Sequence, residues 1–259
     1  MKFCEFYREL CDFAPIELSR KLYEKDDLYD NSGIIVEPSQ EDIKGVVFSL
    51  DLTSGCVEKA EKEGCDLIVT HHPAIYSPIK RLSADSPVYK AINKGIGVVS
   101  FHLNVDCAKE GTDFWFAEGL GGKEQTIYED LGGGRGYGRV FAVEKTTGRE
   151  ILERYKKTFD TDYAWLYGKE DEEIDKIASF CGAGLDEGAI EFAVENRAKI
   201  VASADIKHHV LLQALNSGLS VLSCTHYATE NYGMKKISGI FSRKLKDEKI
   251  IFFDDGRMV

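Results

Sequence analysis

The chain has 259 residues, 43% hydrophobic and 30% charged, proportions that suit a globular protein able to bury a core as one large domain or two small ones. Its formal net charge of −11 argues against a general nucleic-acid binder, because non-specific affinity comes from Lys and Arg displacing counterions at phosphates. No apolar stretch approaches the roughly 20 residues of a membrane span. The start Met1-Lys2-Phe3-Cys4-Glu5 lacks a signal peptide's apolar core, and the seven cysteines include no Cys-x-x-Cys pair, so the expectation is a cytoplasmic protein with reduced thiols.

In chain order, Val46 to Asp51 reads as a buried strand, Cys56 to Glu63 as a helix and Asp66 to Thr70 as a second strand, followed at once by His71-His72. A helical stretch, the strand entry Asn93 to Ser100 and His102 come next. The run Thr126 to Asp171 changes character. Leu131 to Arg139 is glycine-dense but matches neither G-x-G-x-x-G nor a Walker loop, so a turn or bulge is the expectation; Val140 to Val143 reads as a strand and Glu150 to Thr158 as a helix. From Lys176 the earlier order returns: strand to Phe180, helix Asp186 to Asn196, strand Lys199 to Ser203, then His208-His209, a helical stretch, the strand entry Asn216 to Ser223, and His226. Between the first strand and helix of this half, Cys181-Gly182-Ala183-Gly184 lies where free backbone N–H groups favour an anion, although tight strand-to-helix packing explains it about as well.

Continuous Val/Ile/Leu strands alternating with helices signal parallel sheets covered on both faces, which makes the fold class α/β. The recurring order points to an internal duplication. Residues 1–125 read as an N-terminal α/β half, 126–175 as a short linker segment and 176–259 as a C-terminal α/β half.

All six histidines fall within or close behind strand ends, where ligands bind in open α/β sheets. Imidazoles with carboxylates suit hydrolytic divalent-metal sites. Asp106 follows His102 by four residues and Glu230 follows His226 by four, a spacing that brings both side chains of a helical pair to one face. The first expectation is therefore a metal site assembled between two halves. His208 and His209 read either as cavity-lining or as surface imidazoles at a helix start; Tyr76 and Lys80, after the His-His-Pro loop, are candidates for an anionic substrate, although Lys80 beside Arg81 suits a solvated face.

Thr70-His71-His72-Pro73, His102-Leu103-Asn104-Val105-Asp106, Cys181-Gly182-Ala183-Gly184, Asp205-Ile206-Lys207-His208-His209 and His226-Tyr227-Ala228-Thr229-Glu230 together resemble the GTP cyclohydrolase I type 2 homolog family, also called NIF-three-like, from about Asp30-Asn31-Ser32-Gly33 to the C-terminus. The resemblance implies a two-lobed α/β protein with a dinuclear metal centre facing the cavity of a toroidal homohexamer. It further implies that this chain lacks the middle insertion of longer members. His71, His72, Asp106, His226 and Glu230 are the implied ligands, with Glu230 bridging, His72 and Asp106 on one ion and His71 and His226 on the other. Two divalent ions per chain are expected, of zinc, iron, manganese, cobalt or nickel. His102 and His209 are candidates for a supporting role around them. Thr225 departs from the family, which often has glycine there. The implied chemistry is hydrolysis of GTP or another nucleotide-like heterocycle; a noncatalytic metal-binding, metal-delivery or scaffold protein is the alternative. Partners are expected to be further copies of the chain and a small-molecule substrate, with no membrane, and with nucleic acid disfavoured by the net charge.

Overall fold

A computed structural model describes residues 1–23 and 30–258. The chain forms two compact units, Met1–Ala108 together with Met234–Met258, and Lys109–Gly233.

The first unit opens with helices α1 (Phe3–Phe13) and α2 (Glu17–Tyr23) and continues through β1 (Gly33–Val36), β2 (Gly45–Ser49), α3 (Ser54–Glu63), β3 (Leu67–Thr70), α4 (Pro87–Asn93), β4 (Gly97–Ser100) and the single turn α5 (Leu103–Asp106). Local chemistry sets the ends of α3: the Thr53 side chain accepts the Cys56 N–H at its start, and Gly64 takes a left-handed φ of +65° at its end. The second unit contains α6 (Thr112–Gly119), β5 (Lys123–Gly132), β6 (Arg135–Thr147), α7 (Gly148–Phe159), β7 (Trp165–Tyr167), β8 (Glu173–Ser179), α8 (Glu187–Glu195), β9 (Ile200–Ser203), α9 (His208–Asn216) and β10 (Ser220–Ser223). Helix α10 (His226–Lys244) has its first residues in the second unit and the rest in the first, where β11 (Lys249–Phe252) ends the ordered elements.

Each unit holds one sheet. The first runs β1-β4-β3-β2-β11, with β4, β3, β2 and β11 parallel and β1 antiparallel to β4. The second runs β5-β6-β8-β9-β10-β7, with a parallel centre of β8, β9 and β10 and antiparallel flanks. Alternation along the central strands divides the second unit's core: Ile177, Ile200 and Leu222 pack with Phe116, Ile151 and Tyr155 on one side, while Ala178, Val201 and Val221 pack with Ala189, Ile190 and Val210 on the other. Helices thus cover both faces, which is why these strands read as unbroken apolar runs. In the first unit Val47, Ile68 and Val98 pack with Val57, Ala60 and Ala91.

The α/β class expected from the sequence is observed, and the repeat is visible in the sheets. β2-α3-β3-α4-β4 and β8-α8-β9-α9-β10 each lay down three parallel strands, and each places an antiparallel strand, β1 or β7, beside the last. The correspondence stops at the histidine pairs. His71-His72 follow the end of β3, with α4 beginning only at Pro87, whereas His208-His209 are themselves the first residues of α9.

Residues 126–175 do not lie outside the sheets. They supply most of the β5–β6 hairpin, α7 and β7, and the second unit begins at Lys109 and closes at Gly233. The glycine-dense stretch is the hairpin's turn, with Gly132, Gly133 and Gly134 at φ of +83°, +67° and +77°. Among the described residues no helix is long and apolar enough to cross a membrane.

Candidate metal centre

In the first unit, strand ends bring three imidazoles together. His71 and His72 follow β3 and His102 follows its neighbour β4. One ring nitrogen of each lies within 4.8 Å of the others. His71 is fully buried; its Nδ1 lies 3.1 Å from the Phe101 carbonyl oxygen, and its Nε2 lies 3.5 Å from Oδ1 of Asp106, which ends α5 and is 4% exposed. His72 Nδ1 lies 2.7 Å from Asp51 Oδ1, and His102 Nδ1 lies 2.7 Å from Asp30 Oδ1. Burial pushes the Asp30 carboxyl upward, but hydrogen bonds from His102 and Ser32 outweigh it and hold the group below the ordinary aspartate value.

In the second unit, β10 delivers the chain into α10, whose first residue is His226. Thr225 is the cap: its Oγ1 accepts the Ala228 N–H at 3.3 Å, while its own N–H donates to the Tyr155 hydroxyl at 3.3 Å. A threonine there supplies a helix cap that glycine would lack. Beneath it, burial pushes the Cys224 thiol well above its usual range. One turn into the helix, Glu230 is buried, and its Oε2 lies 3.0 Å from His226 Nε2. His226 Nδ1 lies 2.6 Å from Asp205 Oδ2.

The Cys181–Gly184 loop closes over this pair. The Gly182 N–H donates to Thr229 Oγ1 at 3.1 Å, and the Gly182 carbonyl accepts from Ala204 N–H at 3.0 Å and Ser203 Oγ at 3.3 Å. Gly182 has φ +57°, and a Cβ there would stand 2.1 Å from Glu230 Oε1 and 3.2 Å from His226 Nε2. The loop is packed against two candidate ligands at a distance only glycine allows.

The protonation pattern fixes what these groups can do. A carbonyl or an ionised carboxylate can only accept, so each Nδ1 that faces one carries the hydrogen. That holds for His71, His72, His102 and His226, and leaves Nε2 with the lone pair in the neutral ring. His226 Nε2 faces Glu230 and His71 Nε2 faces Asp106, which places acceptor against acceptor. Such a pair is relieved by a second proton on the imidazole or by a cation. Neutral imidazole Nε2 with carboxylate oxygen is the donor set of divalent first-row metals, so the residues fit such an ion.

The remaining sequence candidates lie elsewhere or at the edge. His208 and His209 are exposed at the start of α9, where His209 Nε2 stands 3.3 Å from Glu187 Oε1 in a surface pair. The Tyr76 ring is 67% exposed and meets the His102 ring edge-on at 6.4 Å between centroids. Lys80 and Arg81 are exposed. The sequence reading missed Asp30, Asp51 and Asp205 as partners of the imidazoles. All seven cysteines are free thiols.

The class these features define is a two-sheet α/β protein with imidazoles and buried carboxylates in groups that could hold a metal ion. The chain belongs to the Duf34/NIF3 (NGG1p interacting factor 3) family, whose model matches residues 1–256. It is 32% identical over 260 residues, 98% of this chain and all of the relative, to a protein named GTP cyclohydrolase 1 type 2 homolog in Methanocaldococcus jannaschii. Among solved structures, reduced HcgD from Methanocaldococcus jannaschii superposes with a TM-score of 0.80 at 30% identity, covering 98% of each chain. Staphylococcus aureus hypothetical protein SA1388 superposes at 0.84 with 20% identity, covering 99% of this chain and 96% of the other, a likeness of fold.

Proposed function

We propose that this chain is a metal-dependent hydrolase acting on GTP or another nucleotide-like heterocycle, holding two divalent ions through His71, His72, Asp106, His226 and Glu230. The observation that carries the reading is that His71 and His226 each set Nδ1 against an acceptor oxygen and Nε2 against a carboxylate oxygen, an arrangement suited to a cation. When bound, a pair of such ions supplies Lewis-acid activation of water and neutralises charge developing on the leaving atom. The chain's own part is to hold the imidazoles oriented, to set Glu230 one helical turn from His226, and to keep solvent from His71, Asp106 and Glu230 by burial. Tyr76, exposed beside His102, is a candidate for contact with the substrate. The names of the relatives support a guanine nucleotide as the first substrate to try.

The test is to load the purified protein with zinc, manganese or iron in turn and follow GTP by product analysis, with His72→Ala alongside. Turnover that needs both the metal and His72 supports the reading. Tight metal binding without turnover of GTP or related heterocycles overturns the hydrolase assignment in favour of a noncatalytic metal-binding or delivery protein. We further propose a ring-shaped homohexamer, which rests on the family resemblance and on the prevalence of closed symmetry among soluble oligomers. Light scattering at micromolar concentration should give six times the 29.0 kDa chain mass, and a monomer mass would overturn it.

A further inference from the structure

Three aspartates that are not among the five proposed ligands stand behind the imidazoles. Asp51 and Asp205 follow the ends of β2 and β9, and Asp30 precedes β1, yet each places a carboxylate oxygen 2.6 to 2.7 Å from an Nδ1: Asp51 on His72, Asp30 on His102 and Asp205 on His226. A free neutral histidine in water favours the Nε2–H tautomer, which would turn the metal-binding nitrogen into a donor. A carboxylate on Nδ1 reverses that preference and fixes the ring's rotation as well. The supports are built rather than incidental. Asp30 is 2% exposed, accepts the Ser32 hydroxyl at 2.6 Å, and the same hydroxyl accepts the His102 N–H at 3.0 Å, so ring and backbone are held together. Asp205 adopts a left-handed φ of +47°, a conformation that aspartate tolerates better than most residues, and from there its largely exposed carboxylate reaches His226. His209 and Glu187 show the contrast: that surface acid meets Nε2, and His209 is not one of the gathered imidazoles.

We propose that Asp51 and Asp205 are positioning residues of the metal site, each locking its imidazole in the Nδ1–H tautomer and the rotation that present the Nε2 lone pair to a divalent cation, while Asp30 holds in the same way His102, which stands beside the five ligands. The inference rests on the metal-site reading above and does not depend on which substrate is hydrolysed.

The experiment uses the full chain and zinc alone. Zinc affinity is measured by competition with a chromophoric chelator for the parent, Asp51→Ala, Asp51→Asn, Asp205→Ala, Asp205→Asn and the control Glu187→Ala, with circular dichroism as the check of folding. Nitrogen-15 histidine spectra of the metal-free proteins report the tautomers. Asp51 and Asp205 carry the test because both carboxylates are more than a third exposed, so their replacement leaves the core intact. The alanine variants should bind zinc roughly 10–100-fold more weakly. Asparagine, which keeps an acceptor without the charge, should lose less, and Glu187→Ala should match the parent. The spectra should show His72 moving toward Nε2–H in Asp51→Ala and His226 doing so in Asp205→Ala. Alanine variants that fold and bind zinc within twofold of a tightly binding parent overturn this proposal while leaving the metal site standing. A parent that binds no zinc overturns the metal-site reading, and this proposal with it.

Discussion

At the scale of single residues, Gly182 is the position where backbone geometry and the candidate site constrain each other most closely. Its left-handed φ costs any L-residue about 1–2 kcal/mol, and its missing Cβ leaves the space that Glu230 Oε1 occupies. Gly182→Ala should therefore lower the thermal midpoint by several degrees in the metal-free protein and weaken zinc binding as well, because the new methyl group presses on both Glu230 and His226. Calorimetry with and without zinc separates the two effects; unchanged zinc affinity would show that the loop does not shape the ligands. Five of the candidate site's residues were legible in the sequence because they punctuate it: His71 and His72 end an apolar strand, His226 and Glu230 open a helix after one, and Asp106 follows His102 by four residues. The supporting aspartates were not, since their contacts span 21 residues for Asp51 and Asp205 and 72 for Asp30. A local signal was present for two of them. Ser49-Leu50-Asp51 and Ser203-Ala204-Asp205 repeat a Ser-apolar-Asp ending after a buried strand.

Between elements, a buried ion pair in the second unit joins β6 to α6. Arg139, 2% exposed, donates from Nε to Asp113 Oδ2 at 2.8 Å, and Asp113 Oδ1 accepts the Cys181 N–H at 3.4 Å. Removing one partner of a buried pair leaves a charge out of water, so Arg139→Met should destabilise by about 3–5 kcal/mol, and Arg139→Met with Asp113→Leu should recover much of that loss. Denaturant titration of both variants checks it, and a double variant no better than the single would refute the pairing argument. A weaker tie holds β11 to α3: hydrogen bonds from Lys249 and Lys59 bring the half-buried Glu63 carboxyl down to about 2 from the ordinary glutamate value of 4.5. A carboxylate lowered in the folded state stabilises above its unfolded value and loses that contribution as pH falls through the folded one. Glu63→Gln should thus reduce stability near neutral pH, with the difference from the parent shrinking between about pH 4.5 and 2, as denaturation midpoints across that range will show. The central elements were legible because a strand buried on both faces is apolar without interruption, and Val46, Ile68, Val98, Ile177, Val201 and Val221 all sit in such runs. The flanking strands were not. β5 is exposed or half-buried along its length, and β7 shows Trp165 and Tyr167 to solvent, so their place depends on antiparallel partners distant in sequence.

On the scale of the whole chain, the first unit is discontinuous and the second is not. Met1–Ala108 is completed only by Met234–Met258, which returns after the second unit has been made. The returning segment is not an appendage. Phe241 of α10 is 2% exposed and its ring lies 5.8 Å from Phe6, 5.6 Å from Phe13 and 5.4 Å from Phe48, while β11 pairs in parallel register with β2 from Lys249 opposite Gly45 to Phe252 opposite Phe48. Loss of one buried phenylalanine costs about 3–5 kcal/mol, a large share of the roughly 5–15 kcal/mol that holds a domain, and loss of an edge strand adds to it. Fragment 109–233 should consequently unfold cooperatively on its own, whereas fragment 1–108 should not until a peptide spanning 234–258 is added. Far-ultraviolet circular dichroism of each fragment through a thermal ramp is the measurement. A cooperative transition in 1–108 alone would mean that the sheet β1-β4-β3-β2 suffices and that the aromatic cluster around Phe241 contributes far less than its burial implies.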